Sequence, residues 1–376
     1  MIYLWNADIR SLIIYMSCIL MSSLFVHFYG NQKQADDFVH KWLNYILISM
    51  PVAIFIGFRG KTTGADTATY IRHFFNYDTI NYGEVTYKLF LFLSNHIGKG
   101  RYYTVLFLIY SFITMIFLVA TLDVYIDNKK LNCALFMFYC FLGLYMADQM
   151  RQLASVTLSF FGCALLQKKK YLMGCIWTVL ATLMHISSLV VLAGWILFYV
   201  LRNRSRVIFT FGNSNIRFAV NLRVLIFIAS LALPLFYIPL FQICAIIVPE
   251  RFKQYFTTRV FVQRIGWGLL VDVMPLIFLI FFTWQYGKKE MADNEWLYDF
   301  AMLLLPFRII GYFSYFIARL IYYPILACII LISAKAVKSK KILCAAIIMS
   351  IGYFSITYMY FDLHEIFPYV TFWEIF

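Results

Sequence analysis

Charged residues are scarce in this chain: Asp, Glu, Lys and Arg make up 13% of 376 residues, against 63% hydrophobic and 20% aromatic. With a mean hydropathy of +0.77 there is too little polar surface to clothe a soluble core. That excludes a water-soluble globular protein and implies a polytopic integral membrane protein. The eight cysteines (Cys18, Cys133, Cys140, Cys163, Cys175, Cys244, Cys328 and Cys344) form no C-x-x-C and fall in apolar stretches. A disulfide framework and a thiolate metal site are therefore not indicated, and the cysteines read as small apolar filler. There is no internal repeat, no low-complexity tract and no polar segment longer than a loop. A basic leader is missing too. Asp8 stands beside Arg10 and no small-residue cleavage site follows Ser11 to Phe28, which reads as a retained span. Gly60-Lys61-Thr62 resembles the end of a P-loop, but Phe55 stands where that motif requires glycine, so a nucleotide site is not expected.

What is present is a series of apolar stretches, about twelve, each of roughly the 15 to 25 residues that a helix needs to cross hydrocarbon. They lie near 11–28, 42–58, 102–122, 131–147, 151–167, 170–185, 186–201, 223–248, 267–286, 297–317, 320–334 and 341–360. The fold class read from them is an all-α polytopic membrane protein, a single integral membrane domain over 1–376. Glu84 to Gly98 is too short and too polar at its ends to cross, and reads as an interfacial or re-entrant helix.

Lysine gives the orientation. Lys129-Lys130, Lys168-Lys169-Lys170, Arg202 to Arg206, Lys288-Lys289 and Lys335 to Lys341 become cytoplasmic in one consistent threading, with both termini outside. The loops 59–101 and 249–266 are then external, and their basic residues are mostly arginine. A planar guanidinium suits bidentate binding of phosphate, so the skew points to an anionic ligand outside. Most of the formal charge of +14 is topology signal, and no basic soluble domain exists to present to nucleic acid.

Four groups of polar residues and one histidine stand out. In the loop after Phe58, Gly60 and Gly64 permit tight turns, and a helix starting near Asp66 places Asp66 and Tyr70 on one face beside Arg59. A capping Asp in a solvated turn is the plainer alternative. Asp148-Gln149-Met150-Arg151-Gln152 enters an apolar span, where Arg151 either faces a wet cavity or snorkels with Asp148 as its i, i+3 partner. His185 sits at the outer hinge of a tight hairpin, as a structural hydrogen-bonder or a proton-transfer group. Arg251, Tyr255 and Arg259 recur at i, i+4, i+8, a stripe suited to stacking a sugar and holding pyrophosphate, or to touching lipid headgroups. Arg308, Tyr312, Tyr315, Arg319 and Tyr322 also share a helical face, which favours one long helix, whereas lysine parity favours a hairpin near 318.

Arg59-Gly60, Gly64-x-Asp66-Thr67-x-x-Tyr70, Arg151-Gln152-x-Ala154 and His185-x-Ser187, in this order and spacing, resemble the EpsG family of Wzy-type bacterial polysaccharide polymerases. Glu250-Arg251-x3-Tyr255, Arg319 with Tyr322-Tyr323, and Pro368-Tyr369 match the same pattern more loosely. Lys61-Thr62 after the glycine and Ile186 after the histidine depart from it.

The resemblance implies a glycosyltransferase of the bacterial cytoplasmic membrane, GT-C-like in architecture, working on the external face. Its substrates are undecaprenyl-pyrophosphate-linked oligosaccharides as donor and acceptor. The bilayer, a chain-length regulator and a flippase are the further partners. On this reading Arg59, Arg151, Arg251 and Arg319 stabilise the leaving pyrophosphate, with Gly64, Tyr70, Gln152, Tyr255 and Tyr322 around the substrate. Asp66 first, and His185 second, takes the acceptor proton. No external cluster has metal-ligand spacing, so no metal and no cofactor are expected. A flippase, a membrane acyltransferase and a ligase using the same donor remain open alternatives.

Overall fold

The computed structural model of the chain describes residues 9–31, 38–79, 84–126, 128–201, 206–210, 217–221, 246, 277, 281, 295–311, 318–336 and 339–360. Nearly all of these are helical, as expected where hydrocarbon offers backbone N–H groups no partner outside their own segment. Among the described residues, four helices are long and apolar enough to cross a membrane: Arg10–Tyr29, Phe38–Gly57, Thr104–Tyr125 and Lys340–Met359. At 1.5 Å per residue, twenty residues cover about 30 Å. Side chains such as Leu20 and Phe28, each about three-fifths exposed, are tolerable on these helices only against lipid. The protein is therefore helical and membrane-embedded. The expected spans 223–248 and 267–286 lie outside the described residues, and Lys130–Gly143, Tyr171–Met184, Ile186–Phe198 and Arg319–Ala334 are shorter apolar helices, so the count of twelve is not established.

Two compact units divide the chain. The first, residues 1–192 with 333–376, opens with α1 (Ile9–Asn31) and α2 (Phe38–Gly57), then two short helices, α3 (Thr67–Phe75) and α4 (Val85–Ile97). At thirteen residues, α4 spans about 20 Å and is too short to cross. Helix α5 (Thr104–Tyr125) follows and runs back along α2. Its two ends are fixed differently. A Cβ on Gly57 would meet Leu108 at 2.4 Å, so glycine is what lets the helices close at one end. At the other, Asp123 receives the Lys41 ammonium and the Tyr45 hydroxyl, each at 2.6 Å.

Next come α6 (Asn128–Phe138), a π-helical segment (Tyr139–Gly143), α7 (Tyr145–Asp148) and α8 (Met150–Gln167). The π segment disturbs the i→i−4 ladder, and hydroxyls from elsewhere take its carbonyls. Tyr15 donates to Tyr139 O at 2.9 Å and Tyr358 to Phe141 O at 3.2 Å. Gln149 (φ −101°, ψ 42°) breaks the chain between α7 and α8, which is the turn expected between the 131–147 and 151–167 spans. Helix α9 (Tyr171–Met184) packs on α8 through facing glycines, since a Cβ on Gly162 or Gly174 would sit 3.1 or 2.9 Å from the other's carbonyl oxygen. A single 3-10 turn, Ile186–Ser188, leads into α10 (Leu189–Leu201).

The second unit covers 193–332. It holds the one pair of strands among the described residues, a hairpin of β1 (Arg206–Thr210) and β2 (Arg217–Asn221), antiparallel with Ile208 opposite Ala219. An all-α reading did not anticipate it. Farther on, α11 (Glu295–Met302) and α12 (Leu304–Gly311) stand where one span was expected. Their break at Leu303 has a local cause: Pro306 has no N–H to give Met302 O. After α12 the chain folds back, because a Cβ on Gly311 would lie 2.8 Å from Ala318 Cα. Residues seven apart in one straight helix are about 10 Å apart. A single straight helix therefore does not run through Gly311 and Ala318. A 3-10 turn, Arg319–Ile321, opens α13 (Tyr322–Ala336); α14 (Lys340–Phe354) and a second π segment, Ser355–Tyr360, close the described chain.

Cys18, Cys133, Cys140, Cys163, Cys175, Cys328 and Cys344 are free thiols, and Cys244 lies outside the described residues.

Candidate functional site

The first unit gathers three distant sequence motifs at one set of helix ends. The C-terminal end of α2, the N-terminal ends of α5 and α8 and the C-terminal end of α9 meet there. Buried Tyr70, Phe74, Tyr87, Phe107, Met150 and Met184 lie in one apolar cluster. Helices α3 and α4 are amphipathic and too short to stand alone, so they lay their apolar sides on this cluster.

The loop from Arg59 to Asp66 is built around a buried cation. Arg59 has no exposed surface, and its guanidinium carbon lies 3.7 Å from the centre of the Phe107 ring. Its Nε donates to Thr67 Oγ1 at 3.1 Å, one terminal nitrogen to Ile56 O at 3.1 Å and the other to Met150 Sδ at 3.7 Å. The Thr67 hydroxyl in turn donates to Thr63 O at 2.5 Å. One side chain thus ties the end of α2, the loop, the start of α3 and the start of α8.

Gly64 and Asp66 dock this loop on the residues just before Arg151. Gly64 has φ +88°, and a Cβ there would meet Ala147 O at 2.8 Å. Two separate reasons therefore require glycine. The Asp66 N–H donates to Asp148 Oδ1 at 2.9 Å, and Gln149 Nε2 donates to Asp148 Oδ2 at 2.8 Å. Asp66 occupies the N-cap position of α3 without a side-chain cap hydrogen bond, so the capping alternative is not realised and its half-buried carboxyl is not committed to the helix end. Gly64→Ala is expected to lower the stability of the docked loop by about 2 kcal/mol. Faster hydrogen exchange at residues 60–70 would show it, and unchanged protection would contradict it.

Arg151 pairs not with Asp148, as the i, i+3 spacing suggested, but with Glu84, 67 residues earlier, through Oε2. Its guanidinium lies 4.4 Å from the Tyr87 ring centre and 5.7 Å from that of Tyr70. The two rings meet edge to face at 6.2 Å. Burial pushes the Tyr70 phenol up; Arg151 pulls it down and Asp66 pushes it up again, so the hydroxyl keeps its proton. Tyr70 therefore senses both Arg151 and Asp66. Gln152 is buried one residue on.

His185 lies beyond α9 with an extended backbone. Its Nδ1 is 2.6 Å from Ser187 Oγ and accepts the Ser187 N–H at 3.3 Å. With Nδ1 accepting, the neutral ring carries its proton on Nε2. Arg319 and buried Tyr322 flank the turn that opens α13 in the second unit; Arg251 and Tyr255 lie outside the described residues. Among the described residues, no group of three or more His, Cys, Asp or Glu is placed to hold a metal ion.

The EpsG family model matches residues 42–371, nearly the whole chain. The chain belongs to the EpsG family. Membership ties this protein to exopolysaccharide or O-antigen polymerisation. No curated protein and no solved structure matches it.

Two residues of this EpsG chain that sequence reading passed over, Glu84 and Tyr87, complete the surroundings of Arg151, and a third, His73, adjoins them. His73 Nδ1 is 2.9 Å from the Tyr87 hydroxyl. Burial first, then the positive charges of Arg151 and Arg72, push its imidazole down to about 4. An unfolded histidine titrates at about 6.5, so between these values the unfolded segment binds a proton that the docked one refuses. Docking of α3 is therefore full above about pH 6.5 and weakens as pH falls toward 4. Hydrogen exchange across residues 67–75 should show this acid weakening in the native protein and a flatter profile in His73→Gln. An identical profile in the variant would assign the effect to other groups.

Proposed function

We propose that this EpsG-family protein is a polysaccharide polymerase. It is a multi-pass glycosyltransferase of the bacterial cytoplasmic membrane, with about twelve spans and a GT-C-like architecture. It joins undecaprenyl-pyrophosphate-linked oligosaccharide repeat units on the external face, and its product is exopolysaccharide, capsule or O-antigen. The observation that carries the reading is the docking of the Gly64-x-Asp66-Thr67 loop onto Ala147-Asp148 beside Arg151. It brings the Arg151 guanidinium and the Asp66 carboxyl to act on the same buried phenol, Tyr70.

Breaking the bond from the anomeric carbon to pyrophosphate places negative charge on the leaving oxygens. Arg151, about one-fifth exposed, is placed to receive that charge in a poorly hydrated setting, and Tyr70 adds a hydrogen-bond donor. The attacking sugar hydroxyl gives its proton to Asp66. His185 is the weaker base, because its Nε2 already carries a proton when Nδ1 accepts from Ser187. Arg59 supports the loop from below, its guanidinium already shared among the ring and three acceptors. Arg251, Tyr255, Arg319 and Tyr322 are assigned to the lipid-linked substrate on the strength of the family pattern, and the reaction proceeds without a metal.

A deletion strain tests the class. Cells should still display a single repeat unit while long chains vanish, whereas loss of a flippase removes the single unit as well. Purified protein in nanodiscs should elongate lipid-linked repeat units in the presence of a strong chelator. Activity lost to chelation and restored by a divalent cation would overturn the metal-free part of the proposal.

A further inference from the structure

The protein supplies its own anion to Arg151. Glu84 immediately precedes α4 with an extended backbone (φ −94°, ψ 110°), and its Oε2 closes on an Arg151 terminal nitrogen. Both side chains keep about a fifth of their surface, 19% for Arg151 and 22% for Glu84, so the ion pair is not sealed off and a competing anion has an edge from which to approach it. The faces of Tyr87 and Tyr70, at 4.4 and 5.7 Å, hold the guanidinium plane independently of the carboxylate. Arg151 can therefore exchange its anionic partner without leaving its seat. Arg59 differs here, since it is fully buried and no solvent-borne anion reaches it.

We propose that Glu84 is an internal competitor of pyrophosphate for Arg151. It yields the guanidinium when the pyrophosphate group of a donor arrives, and it closes on Arg151 again to drive the pyrophosphate product out. Its carboxylate thus weakens ground-state binding and speeds release. A residue that merely held Arg151 in position would do the reverse, because its loss would loosen the anion site. The proposal rests on the reading that Arg151 binds pyrophosphate.

The test titrates inorganic pyrophosphate into the full chain in nanodiscs, comparing the native protein with E84Q and Arg151→Ala. E84Q keeps the shape of the side chain and removes its charge, so pyrophosphate should bind about tenfold tighter. In turnover the donor KM and kcat should both fall, with product inhibition strengthened. Arg151→Ala should weaken pyrophosphate binding by about tenfold or more. If Arg151→Ala binds pyrophosphate as well as the native chain, the reading of the site itself fails. If Arg151→Ala weakens binding while E84Q binds equally or more weakly, the site stands and the competitor role is overturned. Should E84Q not accumulate, Glu84→Asp draws the charge back by one methylene. About threefold tighter binding then supports the proposal, and unchanged or weaker binding overturns it.

Discussion

Arg151→Ala is expected to reduce polymer elongation by at least about a hundredfold, the usual effect of removing one preorganised donor from developing negative charge. Cells should then carry single repeat units in place of long chains. The protein should remain in the membrane at near-native abundance, because the pair with Glu84 is partly solvated and its loss removes about 1 kcal/mol. Arg151→Lys should restore little. An ammonium is a point charge and reproduces neither the bidentate fork for two phosphate oxygens nor the stacking on Tyr87. The readouts are surface-polysaccharide chain length and elongation by purified protein. Normal long chains in Arg151→Ala would sink the site assignment.

Arg59→Ala should fail in a different way. Its guanidinium is fully buried, stacked on Phe107 and hydrogen-bonded to Thr67, Ile56 and Met150. Truncation leaves a cavity beneath the loop and strands those acceptors, lowering stability by about 3 kcal/mol. Polymer is lost together with protein, seen as lower membrane abundance and a lower melting temperature in nanodiscs. Arg59→Lys should recover only part of this, since one ammonium cannot both cover the ring and reach separate acceptors. Full abundance with polymer abolished would instead make Arg59 a direct ligand of the substrate.

These two arginines look alike in the chain. Each opens a motif next to an apolar span, and only packing separates the buried one from the one that solvent reaches. Glu84 shows the same limit. No local spacing rule joins residues 67 apart, and Asp148, three residues from Arg151, was the nearer partner on paper. Asp148 instead accepts the Asp66 N–H, because docking the glycine loop brings that donor against it. The hairpin at 206–221 could have been read: Phe211-Gly212-Asn213-Ser214-Asn215 is a turn signal between runs rich in β-formers.

The sequence by itself determined that this is a helical membrane protein, roughly where the long helices among the described residues begin and end, and which motifs are candidates for the site. It does so because an apolar stretch in lipid has few ways to satisfy its backbone, and because Gly64, Asp66, Arg151 and His185 stand in a fixed order and spacing. Only the tertiary structure decided what those residues do to one another. It buried Arg59 under the loop, gave Arg151 to Glu84 and the Tyr87 ring, turned His185 Nδ1 toward Ser187, and folded the chain back between Gly311 and Ala318. The physical reason is that a charge or a glycine near a membrane takes its role from what packs against it, and here those partners come from helices remote in sequence.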